Sequence, residues 1–230
     1  MPIIVFANPK GGTGKTTSAL ILATEIAAAH SSVVLIDADP NMPISEWAEL
    51  PNKPANIEVI RETNEQRILR TIDAAAERVP FVIIDNEGTA SRLTTYAMSR
   101  ADLVIIPMQG KQLDARNAAK TIELIETEQD AFRRSIPHKV LITRTSAAIR
   151  PKGLRALQQE LHDRGVPLFR TELLERVPFE AIMAYGGGLD DLVPGEVSGL
   201  KAAKANAIAY MAEVLETLQL RQGATAQEVA

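Results

Sequence analysis

Five short runs of this chain, Ile3 to Phe6, Val33 to Ile36, Phe81 to Ile84, Leu103 to Pro107 and Val140 to Thr143, are apolar at nearly every position. A strand exposed on one face alternates apolar and polar residues, whereas a strand covered on both faces has no polar side to show. Helical patterns lie between most of these runs, at Thr16 to Ala29, Asn64 to Ala76, Leu113 to Glu128, Pro151 to Arg164 and Ser198 to Leu220. Pro151 suits a first helical turn, and Gly165 followed by Pro167 suits the end of that helix. The alternation predicts an α/β fold, a three-layer, doubly wound, mostly parallel sheet with helices on both faces. At 230 residues and 46% hydrophobic content the chain suits one domain, residues 1–220, with 221–230 as a frayed tail. Gly186 to Gly188 reads as a mobile loop.

The first apolar run leads directly into Asn8-Pro9-Lys10-Gly11-Gly12-Thr13-Gly14-Lys15-Thr16-Thr17 and then into the first helix. Small residues between a strand and a helix let successive backbone N–H groups close around a phosphate at the positive helix end. Gly11, Gly12, Thr13 and Gly14 form that wrap. Lys15 is placed to reach the β and γ phosphates of a nucleotide, Thr16 to ligate Mg²⁺, and Thr17 to hold the α-phosphate. The plain phosphate-loop pattern would open on glycine at position 9, where this chain has Pro9 followed by Lys10.

Three carboxylates sit where strands end. The second run finishes in Asp37-Ala-Asp39-Pro40, and the third in Asp85. The carboxyl ends of strands in an open α/β sheet face the ligand crevice, so all three belong near the phosphates, with Asp85 in the position that binds Mg²⁺ through water. A helix-capping or turn-opening role is the alternative for Asp37 and Asp39, because Asp before Pro commonly opens a turn.

Lys10-Gly-Gly-Thr-Gly-Lys15-Thr resembles the deviant Walker A motif of the ParA/MinD family of P-loop ATPases. The resemblance extends over Asp37-Ala-Asp39-Pro, Leu103-Val-Ile-Ile-Pro107, Leu141-Ile-Thr-Arg144 and Thr171 to Arg176. It implies that Lys10 reaches across a dimer to the partner's nucleotide, that Asp39 positions the attacking water, and that Asp37 supports the metal shell. Lys10, Lys15 and Asp39 are thus the implied catalytic residues, and ATP and Mg²⁺ the implied cofactors. Asp85-Asn-Glu-Gly88 at the second switch is closer to the type found in small plasmid ParA proteins than to Asp-Thr-Pro-Pro. The segment Asp37 to Trp47 also looks like that of VirC-type ATPases that assist conjugative DNA processing.

Composition narrows the choice within that family. Cysteine is absent, which excludes the relatives that carry iron–sulfur clusters and points to a reducing cytoplasm. The chain opens on a strand instead of a basic and then apolar leader, and it has no long uncharged apolar stretch, so neither export nor membrane insertion is expected. The acidic end from Met211 onward is poorly suited to a basic amphipathic membrane anchor. A phosphate loop this close to the start leaves no space for a preceding helix-turn-helix, so operator reading is not expected.

The net charge is −4, yet between Arg133 and Arg176 there are ten Lys or Arg against four Asp or Glu. Arg144, Arg150, Lys152, Arg155, Arg164, Arg170 and Arg176 are candidates for contacts to duplex phosphates without base reading. The expectation is therefore an ATP-dependent homodimer that binds nonspecific duplex DNA, sits on the nucleoid, and releases DNA on slow, partner-stimulated hydrolysis to ADP and phosphate. A ParB-type centromere-binding protein or a relaxosome component is the implied partner. A P-loop ligase of the dethiobiotin synthetase type and a nucleotide-dependent scaffold are the alternatives.

Overall fold

The computed structural model describes residues 1–87, 91–146 and 152–228, without the side chains of 112–114, 152 and 220–228. In chain order the elements are β1 (Ile3–Phe6), α1 (Lys15–Ala28), β2 (Val33–Ala38), α2 (Pro43–Glu49), β3 (Ile57–Arg61), α3 (Ile68–Arg78), β4 (Phe81–Asn86), α4 (Arg92–Arg100), β5 (Leu103–Gln109), α5 (Gln112–Phe132), β6 (His138–Thr145), α6 (Lys152–Asp163), β7 (Leu173–Leu174), α7 (Val177–Tyr185) and α8 (Leu200–Glu228).

The strands form one seven-stranded sheet in the order β3-β2-β4-β1-β5-β6-β7, and every pairing is parallel. The apolar runs are buried, Phe81 only in part, because successive side chains serve different cores. Ile4, Phe6, Val33 and Leu35 point into a cluster with α1, α2, α7 and α8. Ile3, Val5, Val34 and Ile36 point into a second cluster with α3, α4, α5 and α6. This is the expected three-layer sandwich, with the sheet parallel throughout the described residues.

Two strands and three helices go beyond the sequence expectation. β3 fully buries only Ile57 and carries exposed charge at Glu58 and Arg61, as an edge strand protected from further pairing does. β7 has only two residues. The helices α2, α4 and α7 are short, and each starts from a local signal: Pro43 in the first turn of α2, Ser91 accepting from the Thr94 N–H at α4, and Pro178 in the first turn of α7. α8 runs to Glu228, through most of the segment expected as a tail. Gly186 to Gly188 is packed: a Cβ on Gly186 would come within 2.3 Å of the Pro51 carbonyl, and the Trp47 indole donates to the Gly187 carbonyl at 3.2 Å. Among the described residues no helix is long and apolar enough to cross a membrane.

Candidate functional site

The carboxyl ends of β1, β2, β4, β5 and β6 converge on the loop between β1 and α1. Gly12 and Gly14 have φ values of 74° and 92°, a left-handed conformation that side chains rarely adopt, and Gly14 forms the N-cap of α1. The loop is tied down from two strands, β5 and β6. Asn8 donates to the Pro107 carbonyl at 2.8 Å, Gln109 to the Gly12 carbonyl at 2.9 Å, and the Thr143 hydroxyl to the Thr13 carbonyl at 2.7 Å. These bonds engage the Gly12 and Thr13 carbonyls beside the N-terminal end of α1, whose positive end favours an anion.

Lys15, only 7% exposed, donates from Nζ to the carbonyls of Asn8 at 3.2 Å and Lys10 at 3.4 Å. Burial lowers its pKa, while Asp85, Asp39 and Glu87 pull it back up. Lys10 lies half-buried with its backbone N–H donating to Asn8 Oδ1 at 2.9 Å.

Below the loop, Asp37 and Asp85 are register partners on adjacent strands, and both are fully buried. Asp37 accepts from the Ser45 N–H at 2.7 Å and the Ser45 hydroxyl at 2.8 Å, both through Oδ2. It therefore caps the first turn of α2, while Oδ1 has no hydrogen-bond partner. The capping and metal-support readings of Asp37 are compatible, one on each oxygen. Neither Asp85 oxygen has a hydrogen bond of regular geometry. Burial pushes the Asp85 carboxyl up to about 7, against the pull of Thr16 and Lys15 toward the charged form. Asp39 is half-exposed and takes the Asn41 backbone N–H at 2.8 Å and its side-chain amide at 2.9 Å, which folds the segment after β2 into a turn.

Buried carboxylate oxygens without partners are costly unless a cation or its waters complete them. Three such oxygens under a threonine hydroxyl and a lysine, next to a left-handed glycine loop, fit a nucleotide with Mg²⁺, which keeps several waters and binds through one or two carboxylates plus phosphates.

Comparison with known proteins places the chain. A family model described as VirC1 protein matches residues 1–217. Protein ParA of Rhizobium radiobacter is 37% identical over 218 residues, 95% of this chain and 98% of that protein. The chain belongs to the VirC1/ParA family of P-loop ATPases. In fold it is similar to an aspartate-to-alanine variant of Cyanothece McdA solved as an ATP complex, with a TM-score of 0.75 and 17% identity over 93% of this chain and 96% of that one. Cobyrinic acid a,c-diamide synthase of Mycobacterium smegmatis, solved with ADP and magnesium, covers 80% of this chain and 90% of its own with a TM-score of 0.64 and 19% identity.

One side of the VirC1/ParA nucleotide site was not legible in its motif. An open cleft beside the loop is lined by Thr17, Ser18, Thr143, Leu173, Arg176 and Phe179, and the Arg176 Nε is buried there without a partner. Arg144 also lines this cleft, with a left-handed φ of 54° where β6 shifts register against β7. Two of the arginines named for DNA thus stand beside the phosphate loop. Arg155 is exposed on α6. Arg164 pairs with Glu160 at 2.8 Å, and Arg170 pairs with Glu216 and, at 3.4 Å, with Glu213. Arg150, and Gly88 and Thr89 of the second switch, lie outside the described residues, as does the Lys152 side chain.

Proposed function

We propose that this VirC1/ParA protein is a partition ATPase: an ATP-dependent homodimer that holds nonspecific duplex DNA and lets it go when ATP is hydrolysed to ADP and phosphate. The observation that carries the reading is the pair of buried, under-satisfied carboxylates Asp37 and Asp85 beneath Thr16 and Lys15. Thr16 and Asp85 would hold Mg²⁺, which would supply positive charge against the charge developing on the transferred group.

The chain's own residues supply the rest. Gly11, Gly12, Thr13 and Gly14 cradle the phosphates by backbone N–H groups, Thr17 adds a hydroxyl for the α-phosphate, and Lys15 stabilises the β and γ oxygens as a point charge. Thr16 and Asp85 hold the metal side, with the free Oδ1 of Asp37 behind them. Asp39, on its exposed turn, orients a water. Lys10 crosses to the partner protomer's phosphates, as an arginine finger does.

DNA is held through the basic stretch 133–176 by phosphate contacts alone. Arg144 and Arg155 are the leading candidates. Arg164 and Arg170 remain available, since exposed ion pairs are worth only about 0–1 kcal/mol and exchange readily. A ParB-type centromere-binding protein is the matching partner, and a cytoplasmic, nucleoid-associated place follows from the DNA. The VirC1 family match favours a second reading, in which the same switch serves conjugative DNA processing with a relaxosome component as partner.

The test is binding to a random-sequence duplex with ATP, with ADP and without nucleotide, at two salt concentrations. Binding that requires ATP and weakens steeply with salt is the expected result. A chain that ignores DNA in every state, yet turns over ATP with a small carboxylate, would belong with the metabolic ligases instead.

A further inference from the structure

The outermost strand on one side of the sheet is β7, and α8 stands along its free edge. The Asn206 side-chain amide donates to the Glu172 carbonyl at 2.8 Å, and its Oδ1 accepts the Leu174 N–H at 3.0 Å. One side chain thereby makes the pair of hydrogen bonds, on either side of Leu173, that a further parallel strand would make. Further along α8, Glu213 is 3% exposed and accepts the backbone N–H groups of Arg170 and Thr171, both at 2.8 Å. The Lys139 ammonium balances its charge at 3.4 Å.

A strand of two residues has little pairing of its own to hold it. Here Asn206 and Glu213 fix the main chain of 170, 171, 172 and 174. The segment so fixed runs straight into the nucleotide cleft. Leu173 and Leu174 form part of its wall opposite Thr17 and Ser18, and Arg176 follows with its buried, unpartnered Nε.

We propose that Asn206 is a positioning residue for the nucleotide site: by standing in for an eighth strand, it sets where Arg176 enters the cleft. Glu213 is the second anchor of the same segment. The inference rests on the reading of this cleft as the nucleotide site. Without the clamp, the edge of β7 frays into water and Arg176 samples positions away from Thr17, so nucleotide affinity falls through Arg176 and not through general loosening of the fold.

The experiment is mant-ADP binding, with Mg²⁺, to the full chain and to Asn206→Leu, Asn206→Asp, Arg176→Ala and the double variant Asn206→Leu/Arg176→Ala. Asn206→Leu and Arg176→Ala should each weaken binding about tenfold, the loss of one hydrogen-bonded contact. The double variant should bind no more weakly than Arg176→Ala alone. Asn206→Asp keeps the acceptor for the Leu174 N–H and should fall between wild type and Asn206→Leu; it carries the test if the leucine variant does not fold. Val214→Ala, which removes methyl groups from the fully buried face of α8, should lower Tm and leave the Kd unchanged. The proposal is overturned if the Asn206 variants bind like wild type, if their loss adds to that of Arg176→Ala, or if Val214→Ala weakens binding as much. Failure of the wild-type chain to bind mant-ADP would instead remove the nucleotide reading and this inference with it.

Discussion

At the end of β4, Asp85 combines full burial with a carboxyl held at about 7. The folded chain therefore keeps a proton on this group between about pH 4 and 7, where the unfolded chain, with an ordinary Asp near 3.9, has released it. Stability accordingly falls as pH rises through that window, and the cost of the charge is fully present above it. Asp85→Asn should raise the nucleotide-free Tm by several degrees at pH 8, with the gain shrinking toward zero by pH 4, while ATP hydrolysis is lost. A gain that stayed the same at both ends of a thermal melt series would show that the carboxyl is not neutral in the folded chain. That Asp37 and Asp85 face the site was legible in the sequence, because each ends a fully apolar strand. Which Asp37 oxygen is free was not, since it depends on where Ser45 falls when α2 packs.

The strands β5 and β6 act on the phosphate loop as fixed supports. The Thr143 hydroxyl, buried with Thr13, satisfies the Thr13 carbonyl, and a Cβ on Gly14 would meet Thr143 at 3.4 Å. Thr143→Val fills nearly the same space and leaves that carbonyl without its donor. Stripping one buried hydrogen-bond partner costs about 1–3 kcal/mol; the Tm should drop by several degrees and the KM for ATP should rise several-fold, with kcat changed less. A variant with the wild-type melting curve would show that the loop holds itself without β6. The loop was readable because its residues are contiguous. Its supports were not, because Thr143 lies 130 residues from Thr13.

The whole molecule separates two tasks on one sheet. The cores on its two faces hold the strands rigid, and all the ligand chemistry gathers at the carboxyl ends. The charge is divided as well, with a basic stretch inside a chain of net charge −4. If the protomers join face to face through their nucleotides, dimerisation must depend on ATP and on Lys10. Light scattering of Asp39→Ala with ATP and Mg²⁺ should give a stable dimer. Adding Lys10→Ala to that variant should return it to monomer, with ATP-dependent DNA binding lost alongside. A dimer that persists without Lys10 would leave the lysine with a role inside one protomer.

The amino-acid pattern alone determined the layers, the phosphate loop and the carboxylates, because burial on both faces writes itself into every residue of a strand and a phosphate loop is one continuous segment. Short edge elements left no such trace. With two residues in β7 and only one fully buried residue in β3, local preference is too weak to be read, and they exist only because β6, β2 and α8 supply their hydrogen bonds. The cleft wall at Arg176 has the same origin: contacts from distant parts of the chain, made only on folding, decide where that arginine stands.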